Sequence, residues 1–145
     1  MVDITASRGL SAGQEQFSAA LPSDYITLLK PRVMFLVVFT GLAGLVAAPT
    51  AMNPILAAVA VLAIALATGG AGAINMWYDR DIDAIMDRTR NRPIPMGLIE
   101  PSNALAFGVI VTAAAIGIMG LAVNWLSAGI LALASFTYVF VYTIW

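Results

Sequence analysis

The stretch that decides the fold is 54-PILAAVAVLAIALATGGAGAINMWYDRDIDAIMDRTRNRP-93, in which a long apolar run ends abruptly in charged residues. Residues 54–73 contain no charged side chain. A helix of about 20 such residues, rising ~1.5 Å per residue, crosses the ~30 Å hydrocarbon core of a bilayer. Four aspartates then follow within residues 79–87. This stretch therefore predicts a transmembrane helix that ends in a cluster of carboxylates.

The composition of the whole chain supports a membrane protein. Of its 145 residues, 61% are hydrophobic and only 10% are charged, and a soluble domain of this size could not bury so much apolar surface. The sequence contains no cysteine and no histidine, which excludes disulfides, thiolate metal sites and histidine-based zinc sites within it. A formal net charge of −1 argues against nucleic acid as a partner.

Apolar segments divide the chain into four predicted spans, at about 25–48, 54–78, 104–123 and 127–145. The predicted fold is therefore all-α and polytopic, with an N-terminal tail at 1–24 and a polar loop at 79–103. The last span stops at Trp145 inside an apolar run, without the charged residue that normally closes a span. We therefore expect the chain to be the N-terminal part of a longer protein.

The distribution of basic residues predicts the orientation in the membrane. All seven lie in the tail, at the start of the first span or in the loop at 79–103, whereas the segments 49–53 and 124–126 carry no charge. Cytoplasmic loops of membrane proteins are enriched in lysine and arginine. We therefore expect the tail and the 79–103 loop to be cytoplasmic, in a bacterial inner membrane. The seven residues are Arg8, Lys30, Arg32, Arg80, Arg88, Arg90 and Arg92.

Three polar residues at the charged end of the second span recur at a helical spacing. Asn75, Asp79 and Asp83 occupy positions i, i+4 and i+8, so on a continuous helix each lies ~40° around the axis from the last. They are predicted to share one face, with Asp81 on the opposite side. Two carboxylates four residues apart repel each other by a few tenths of a kcal/mol in water, and by more where the dielectric is lower. A bound cation would compensate for this repulsion.

A simpler interpretation is a solvated helix end, with ion pairs to Arg80 and Arg88. A face built for ion pairs alternates in sign, however, whereas this face is acidic with a carboxamide at its head, and we therefore favour a divalent-cation site. Oxygen ligands suit Mg²⁺, which usually binds one or two carboxylates together with the oxygens of a phosphate ligand. The basic residues expected to hold a diphosphate are Lys30, Arg32, Arg88 and Arg92.

The pattern N-x-x-x-D-x-x-x-D, here Asn75, Asp79 and Asp83, followed by DRTRNRP, resembles the first aspartate-rich motif of the UbiA-type intramembrane prenyltransferases. With KPRVMFLVVFTGLAGL at residues 30–45, it is similar to the haem-farnesylating branch of that family, and the likeness covers residues 25–145. The resemblance implies a bundle of about nine transmembrane helices around a central cavity, with two facing acidic motifs. This sequence would supply four of the helices and the first motif.

The resemblance also implies a reaction and its partners. Asn75, Asp79 and Asp83 would hold Mg²⁺ on the diphosphate of farnesyl diphosphate, with Asp79 and Asp83 as catalytic residues. The farnesyl group would then pass to a vinyl group of haem b, or protohaem IX, to give haem O. The expected partners are thus farnesyl diphosphate, haem b as acceptor and the lipid bilayer.

Two other functions remain open at this point. Another member of the same family would prenylate an aromatic quinone precursor with the same motif. A non-catalytic membrane subunit for cation binding or assembly is the alternative from a different class of protein. Against that alternative, the acids lie outside the apolar core of the spans, and no charged residue lines a path across the bilayer.

The predicted orientation can be tested with single cysteines at Thr50 and Arg90, labelled from outside intact spheroplasts. We expect Thr50→Cys to react and Arg90→Cys to be protected, because the charge asymmetry places the first outside and the second in the cytoplasm. Labelling of Arg90→Cys alone would show that the topology is inverted.

Overall fold

The fold, taken from a computed structural model that describes residues 20–49 and 52–144, consists of helices joined by turns. No strand occurs in these two ranges, which confirms the all-α prediction for them. Most of the predicted tail, residues 1–19, lies outside the described residues, as does Thr50. The helices are α1 (Pro22–Leu28), α2 (Pro31–Ala47), α3 (Pro54–Tyr78), α4 (Arg80–Ile85), α5 (Pro101–Ala122) and α6 (Trp125–Thr137), followed by a π-helix (Tyr138–Ile144).

Local sequence signals set the beginnings of these helices. Proline occupies the start of α1, α2, α3 and α5, where its missing N–H has no helical partner to lose. The side chain of Asn53 accepts a hydrogen bond from the backbone N–H of Ile55 at 2.9 Å, and Asn124 caps α6 by accepting from Ser127 at 2.7 Å. The predicted polar loop at 79–103 contains α4 and the first turn of α5.

The structure does not confirm the predicted count of four membrane-spanning helices. Only α3 and α5, with 25 and 22 residues, are single helices long and apolar enough to cross a bilayer in the described part of the chain. A third span results if α1 and α2, which meet at a 57° bend, count as one broken segment. The α-helical part of α6 has only 13 residues. The count of four spans is therefore not confirmed.

A bend near the first predicted span and a short last helix account for this outcome. Lys30, between α1 and α2, has a left-handed backbone with φ of 52°, and the following Pro31 cannot donate a backbone hydrogen bond. At Tyr138, α6 continues into the π-helix, and the last apolar helix, Trp125–Val141, is shorter than the other candidate spans. Apolar composition alone did not reveal the bend at Lys30, because it depends on backbone conformation.

The central contact of the fold is the crossing of α3 and α5, with α2 packed against α3 and α6 against α5. The crossing brings two glycines together: a Cβ atom added to Gly108 would lie 2.8 Å from the carbonyl oxygen of Gly70, and one added to Gly70 would lie 2.7 Å from that of Gly108. Neither glycine can therefore carry a side chain without moving a backbone. Small residues permit close approach of this kind between membrane helices.

The charged end of the molecule has its own apolar core, built from α1, the end of α3, the 86–100 segment and the start of α5. The 86–100 segment folds back on itself through successive turns, one of them at Gly97 with φ of 71°. It thereby buries Ile94 and Ile99, with 6% and 1% of their surfaces exposed. Burial of these residues anchors the segment and fixes the course of the charged residues that precede them. The core residues are Leu28, Ala73, Met76, Ile94, Ile99 and Ala104.

We expect Gly108→Ala to destabilise the protein by about 1–3 kcal/mol, because the new methyl group overlaps the backbone of α3. Gly117→Ala in the same helix is the matched control. Nothing lies within 4 Å of a Cβ at that position, and alanine favours a helix by up to about 1 kcal/mol over glycine. Thermal unfolding in detergent measures both changes, and equal stability of the two variants would contradict the close crossing.

Candidate active site

The charged end of α3 lies beside a cavity of about 440 Å³ that gathers every predicted site residue except Arg32. Acidic, basic and carboxamide side chains share this cavity with apolar walls. Such a mixture is suited to a ligand with a charged head. The lining residues are Lys30, Val33, Asn75, Asp79, Ile82, Asp83, Met86, Arg88, Thr89, Arg92, Tyr138 and Thr143.

The backbone around Asp79 keeps the helical spacing of the three polar residues. Although α3 ends at Tyr78 and α4 begins at Arg80, the N–H of Asp79 donates to the carbonyl of Asn75 at 2.9 Å. The N–H of Asp83 donates to the carbonyl of Asp79 at 2.8 Å. The four-residue repeat therefore continues through the break, and all three side chains reach one cavity.

The neighbouring aspartates lie elsewhere. The side chain of Asp81 is 85% exposed, does not line the cavity and contacts Arg80 at 3.7 Å. This agrees with the predicted placement of Asp81 on the other side of the helix. Asp87 follows the end of α4 at Ile85, is 94% exposed and pairs with Arg90 at 3.3 Å. Only two of the four aspartates thus belong to the cavity.

The carboxamide of Asn75 makes three hydrogen bonds in the cavity. It is 5% exposed, and its Oδ1 accepts a hydrogen bond from Nζ of Lys30. Its Nδ2 donates to Oδ2 of Asp79 at 2.8 Å and to Oγ1 of Thr143 at 3.2 Å. An ammonium group only donates and an ionised carboxylate only accepts, so these partners fix which end of the amide carries oxygen.

Asp83 is held from two sides. The residue is 4% exposed, and Nη1 of Arg92 donates to Oδ2 of its carboxylate at 2.5 Å. The hydroxyl of Thr89 donates to the backbone carbonyl of Asp83 at 3.1 Å. The 86–100 segment makes both contacts possible, because it reverses direction after α4 and returns Thr89 and Arg92 to the cavity. Arg88 also lines the cavity but is exposed.

The structure does not bring Arg32 to the cavity. Its side chain is exposed, whereas Lys30 extends across Gly72 towards Asn75. Lys30 lies in the break before α2 with a left-handed backbone, whereas Arg32 lies in the first turn of α2. A role for Arg32 in diphosphate binding stays a prediction.

Thr89 and Thr143 are cavity residues that sequence reasoning missed. Thr89 lies within DRTRNRP, between Arg88 and Arg92, which were predicted to bind diphosphate. Its position in that motif could have identified it as a candidate. Thr143 is one of few polar residues in the last apolar run, but its distance of 68 residues from Asn75 gave no reason to connect the two. Only the folded chain relates them.

A second, apolar cavity of about 250 Å³ adjoins the first. Val33 and Tyr138 line both cavities and so mark the boundary between them. The second cavity lies between α2, α3 and α6 and has no charged residue in its wall. Its other lining residues are Val37, Ile64, Thr68, Ala71, Leu131, Ala134 and Ser135.

The oxygen donors of the cavity fit a hard divalent cation. Two carboxylates, from Asp79 and Asp83, lie on one helical face with the carboxamide of Asn75. Within residues 20–49 and 52–144 no three acidic, histidine or cysteine side chains converge as a complete metal site. Mg²⁺ often takes only one or two protein carboxylates and completes its shell with water and phosphate oxygens. The donor set therefore suits such a cation when a phosphorylated ligand is also bound.

Residues 37–145 match the model of the UbiA prenyltransferase family. The chain belongs to the UbiA prenyltransferase family. This confirms the resemblance drawn from the Asn75/Asp79/Asp83 motif. Together with the apolar helices α3 and α5, membership of the UbiA family makes this a multi-pass membrane protein.

Curated relatives identify the part of the family to which the chain is similar. It is 58% identical over 139 residues to a protoheme IX farnesyltransferase of Rhizobium johnstonii, a match that covers 96% of this chain and 44% of the relative. It is 59% identical over 128 residues to the protoheme IX farnesyltransferase of Brucella anthropi, covering 88% and 41%. The chain thus spans less than half the length of these relatives. No solved structure matches it.

The contact between Arg92 and Asp83 leads to a prediction about stability. Arg92→Gln would leave a buried carboxylate without its guanidinium partner, so we expect a loss of about 1–3 kcal/mol, which allows for the 27% exposure of the arginine. Arg90→Gln removes the same charge from an exposed pair with Asp87 and should cost less than about 0.5 kcal/mol. Thermal unfolding in detergent compares the two variants, and equal losses would rule out a special role for the buried pair.

Proposed function

We propose that the full-length protein carrying this sequence transfers the farnesyl group of farnesyl diphosphate to the terminal carbon of a vinyl group of haem b, with release of diphosphate and addition of water to the other vinyl carbon, giving the hydroxyethylfarnesyl group of haem O, with Mg²⁺ as cofactor. The observation that carries the proposal is the cavity that joins the Asn75/Asp79/Asp83 face to three basic side chains, in a chain 58% identical to a protoheme IX farnesyltransferase. The relatives' names supply the farnesyl donor and the haem acceptor. The charged side chains of the cavity support binding of the diphosphate there.

The charged groups of the cavity divide into two sets with complementary tasks. Asp79 and Asp83 would hold the cation, which neutralises charge on the diphosphate as the allylic C–O bond breaks. Lys30, Arg88 and Arg92 would donate hydrogen bonds to the remaining phosphate oxygens. Donors preorganised around a leaving group stabilise the negative charge that develops on it in the transition state.

Existing contacts would be exchanged on binding. Lys30 donates to Asn75, and Arg92 donates to Asp83. Each basic side chain thus binds a group that we assign to the metal. A diphosphate offers both cations a more highly charged acceptor, and their transfer to it would release Oδ1 of Asn75 and Oδ2 of Asp83. Until substrate and metal arrive together, these two basic side chains would occupy oxygen atoms that we assign to the metal.

The apolar walls suit the remainder of the substrate. Val33 and Tyr138 lead from the charged cavity to the adjoining apolar one, where a prenyl chain would lie between α2, α3 and α6. Exclusion of water from this region protects the allylic carbocation from hydrolysis until the vinyl carbon attacks. We place the charged cavity on the cytoplasmic side of a bacterial inner membrane, because the loop at 79–103 carries four of the seven basic residues.

The proposal is tested with aspartate substitutions in the full-length protein. Asp79→Asn and Asp83→Asn each remove an anionic oxygen while nearly preserving side-chain volume, so we expect haem O formation to fall by about 10²–10³. Asp81→Asn is the matched control, because it makes the same chemical change on an exposed side chain outside the cavity. It should remain within about threefold of the unaltered protein.

The assay is haem O formation from farnesyl diphosphate and haem b with Mg²⁺ titrated, at matched amounts of each variant in the membrane. Equal damage from Asp81→Asn would overturn the assignment to one face. Prenylation of an aromatic quinone precursor in place of haem b would replace the proposed acceptor and retain the motif. Absence of any prenyl transfer by the unaltered protein would leave the non-catalytic alternative.

A further inference from the structure

The π-helix Tyr138–Ile144 brings to the charged cavity a threonine that the aspartate-rich motif does not include. Thr143 Oγ1 accepts a hydrogen bond from Nδ2 of Asn75 at 3.2 Å and donates one to the carbonyl of Tyr138 at 3.3 Å. Both its donor and an acceptor position are therefore used. Thr143 also lines the cavity itself.

The wide winding of this helix explains how Thr143 reaches the site. In an α-helix, residues five apart lie ~140° apart around the axis, so Tyr138 and Thr143 would face different directions. In a π-helix the hydrogen-bonded repeat is five residues, and positions 138 and 143 lie one above the other. Both residues consequently line the same cavity.

Thr137 shows what a threonine does one residue before this segment. Its hydroxyl donates to the carbonyl of Leu133, four residues back, at 2.8 Å, and the residue is exposed. This is the usual local contact of a helical threonine. Thr143 makes the corresponding contact to a backbone carbonyl five residues back, and in addition binds a side chain of α3.

We infer that Thr143 is a positioning residue for the Asn75 carboxamide, and that the π-helix exists in this chain to supply it. This inference rests on the proposed function. Two acceptors, Asp79 Oδ2 and Thr143 Oγ1, hold the two N–H bonds of the amide. They turn Oδ1 towards Lys30 and the cavity, which is the orientation that a cation or an ammonium group requires. Without Thr143, the Asp79 carboxylate, itself assigned to the cation, would be the one remaining acceptor among these contacts for the N–H groups of the amide.

The test measures binding of Mn²⁺ to the purified full-length protein in the presence of inorganic diphosphate. The electron paramagnetic resonance signal of free Mn²⁺ reports the unbound fraction, and Mg²⁺ is added as a competitor. Thr143→Val keeps the branched shape and removes the hydroxyl, and it should weaken Mn²⁺ binding about threefold to tenfold, the usual effect of one hydrogen bond. Thr143→Ser retains the hydroxyl and should stay within twofold. Thr137→Val is the control and should have no effect.

A double-mutant cycle separates positioning from a merely structural role. If Thr143 acts through Asn75, then Thr143→Val should cause no further loss of Mn²⁺ binding in an Asn75→Ala background. Unchanged binding by Thr143→Val, equal losses for the Ser and Val variants, or additive losses in the cycle would each overturn the inference. Should Thr143→Val fail to accumulate, Thr143→Ala takes its place in the same comparisons.

Failure of this inference can be distinguished from failure of the proposed function. Haem O formation by the unaltered protein is assayed separately, and its absence would overturn the proposed reaction. The Mn²⁺ comparison would still decide on Thr143, because it needs only the cation and inorganic diphosphate. Where the unaltered protein does turn over, Thr143→Val should raise the Mg²⁺ concentration for half-maximal rate by the same factor as it weakens Mn²⁺ binding.

Discussion

The carboxamide of Asn75 joins three segments that are distant in the sequence. Lys30 reaches it from the break between α1 and α2, Asp79 from the end of α3, and Thr143 from the π-helix. Because the group is buried, each of these contacts replaces water that a polar side chain would otherwise need. The positions of the first span, of α4 and of the last described helix are thus coupled at one amide. Two of the three segments, at Lys30 and in the π-helix, have irregular backbone where they contact Asn75.

The irregular backbone at Lys30 and the π-helix are stabilised by different contacts. A left-handed backbone at a lysine costs on the order of 1–3 kcal/mol and persists where surrounding contacts fix it. Here the burial of Leu28 in the core at the charged end and the stem of Lys30 lying across Gly72 provide that fixation. The π-helix is linked to α3 by the hydrogen bond that Asn75 donates to Thr143. Departures from regular structure in this chain therefore concentrate around the cavity.

The sequence was sufficient to predict the features of the site that depend only on local helical geometry. The shared face of Asn75, Asp79 and Asp83 and the exclusion of Asp81 depend only on helical spacing, and the structure contains both. It was insufficient where the outcome depends on other segments. Arg32 lies close to Lys30 in sequence but is exposed in the structure. Thr143 reaches Asn75 from a π-helix. Thr89 and Arg92 contact Asp83 because the 86–100 segment folds back. Apolar composition likewise predicted the helices but not the 57° bend between α1 and α2.

The composition of the charged cavity has a consequence for the energetics of loading it. Three basic side chains face two carboxylates there, so the described wall carries one formal positive charge. An allylic diphosphate complexed with one Mg²⁺ carries one negative charge. Together with this wall such a complex would be electrically neutral, and a neutral pairing escapes most of the Born penalty for leaving water at the edge of a bilayer. Metal-free diphosphate would leave an excess of two negative charges, which makes the metal complex, rather than diphosphate alone, the species that matches this wall.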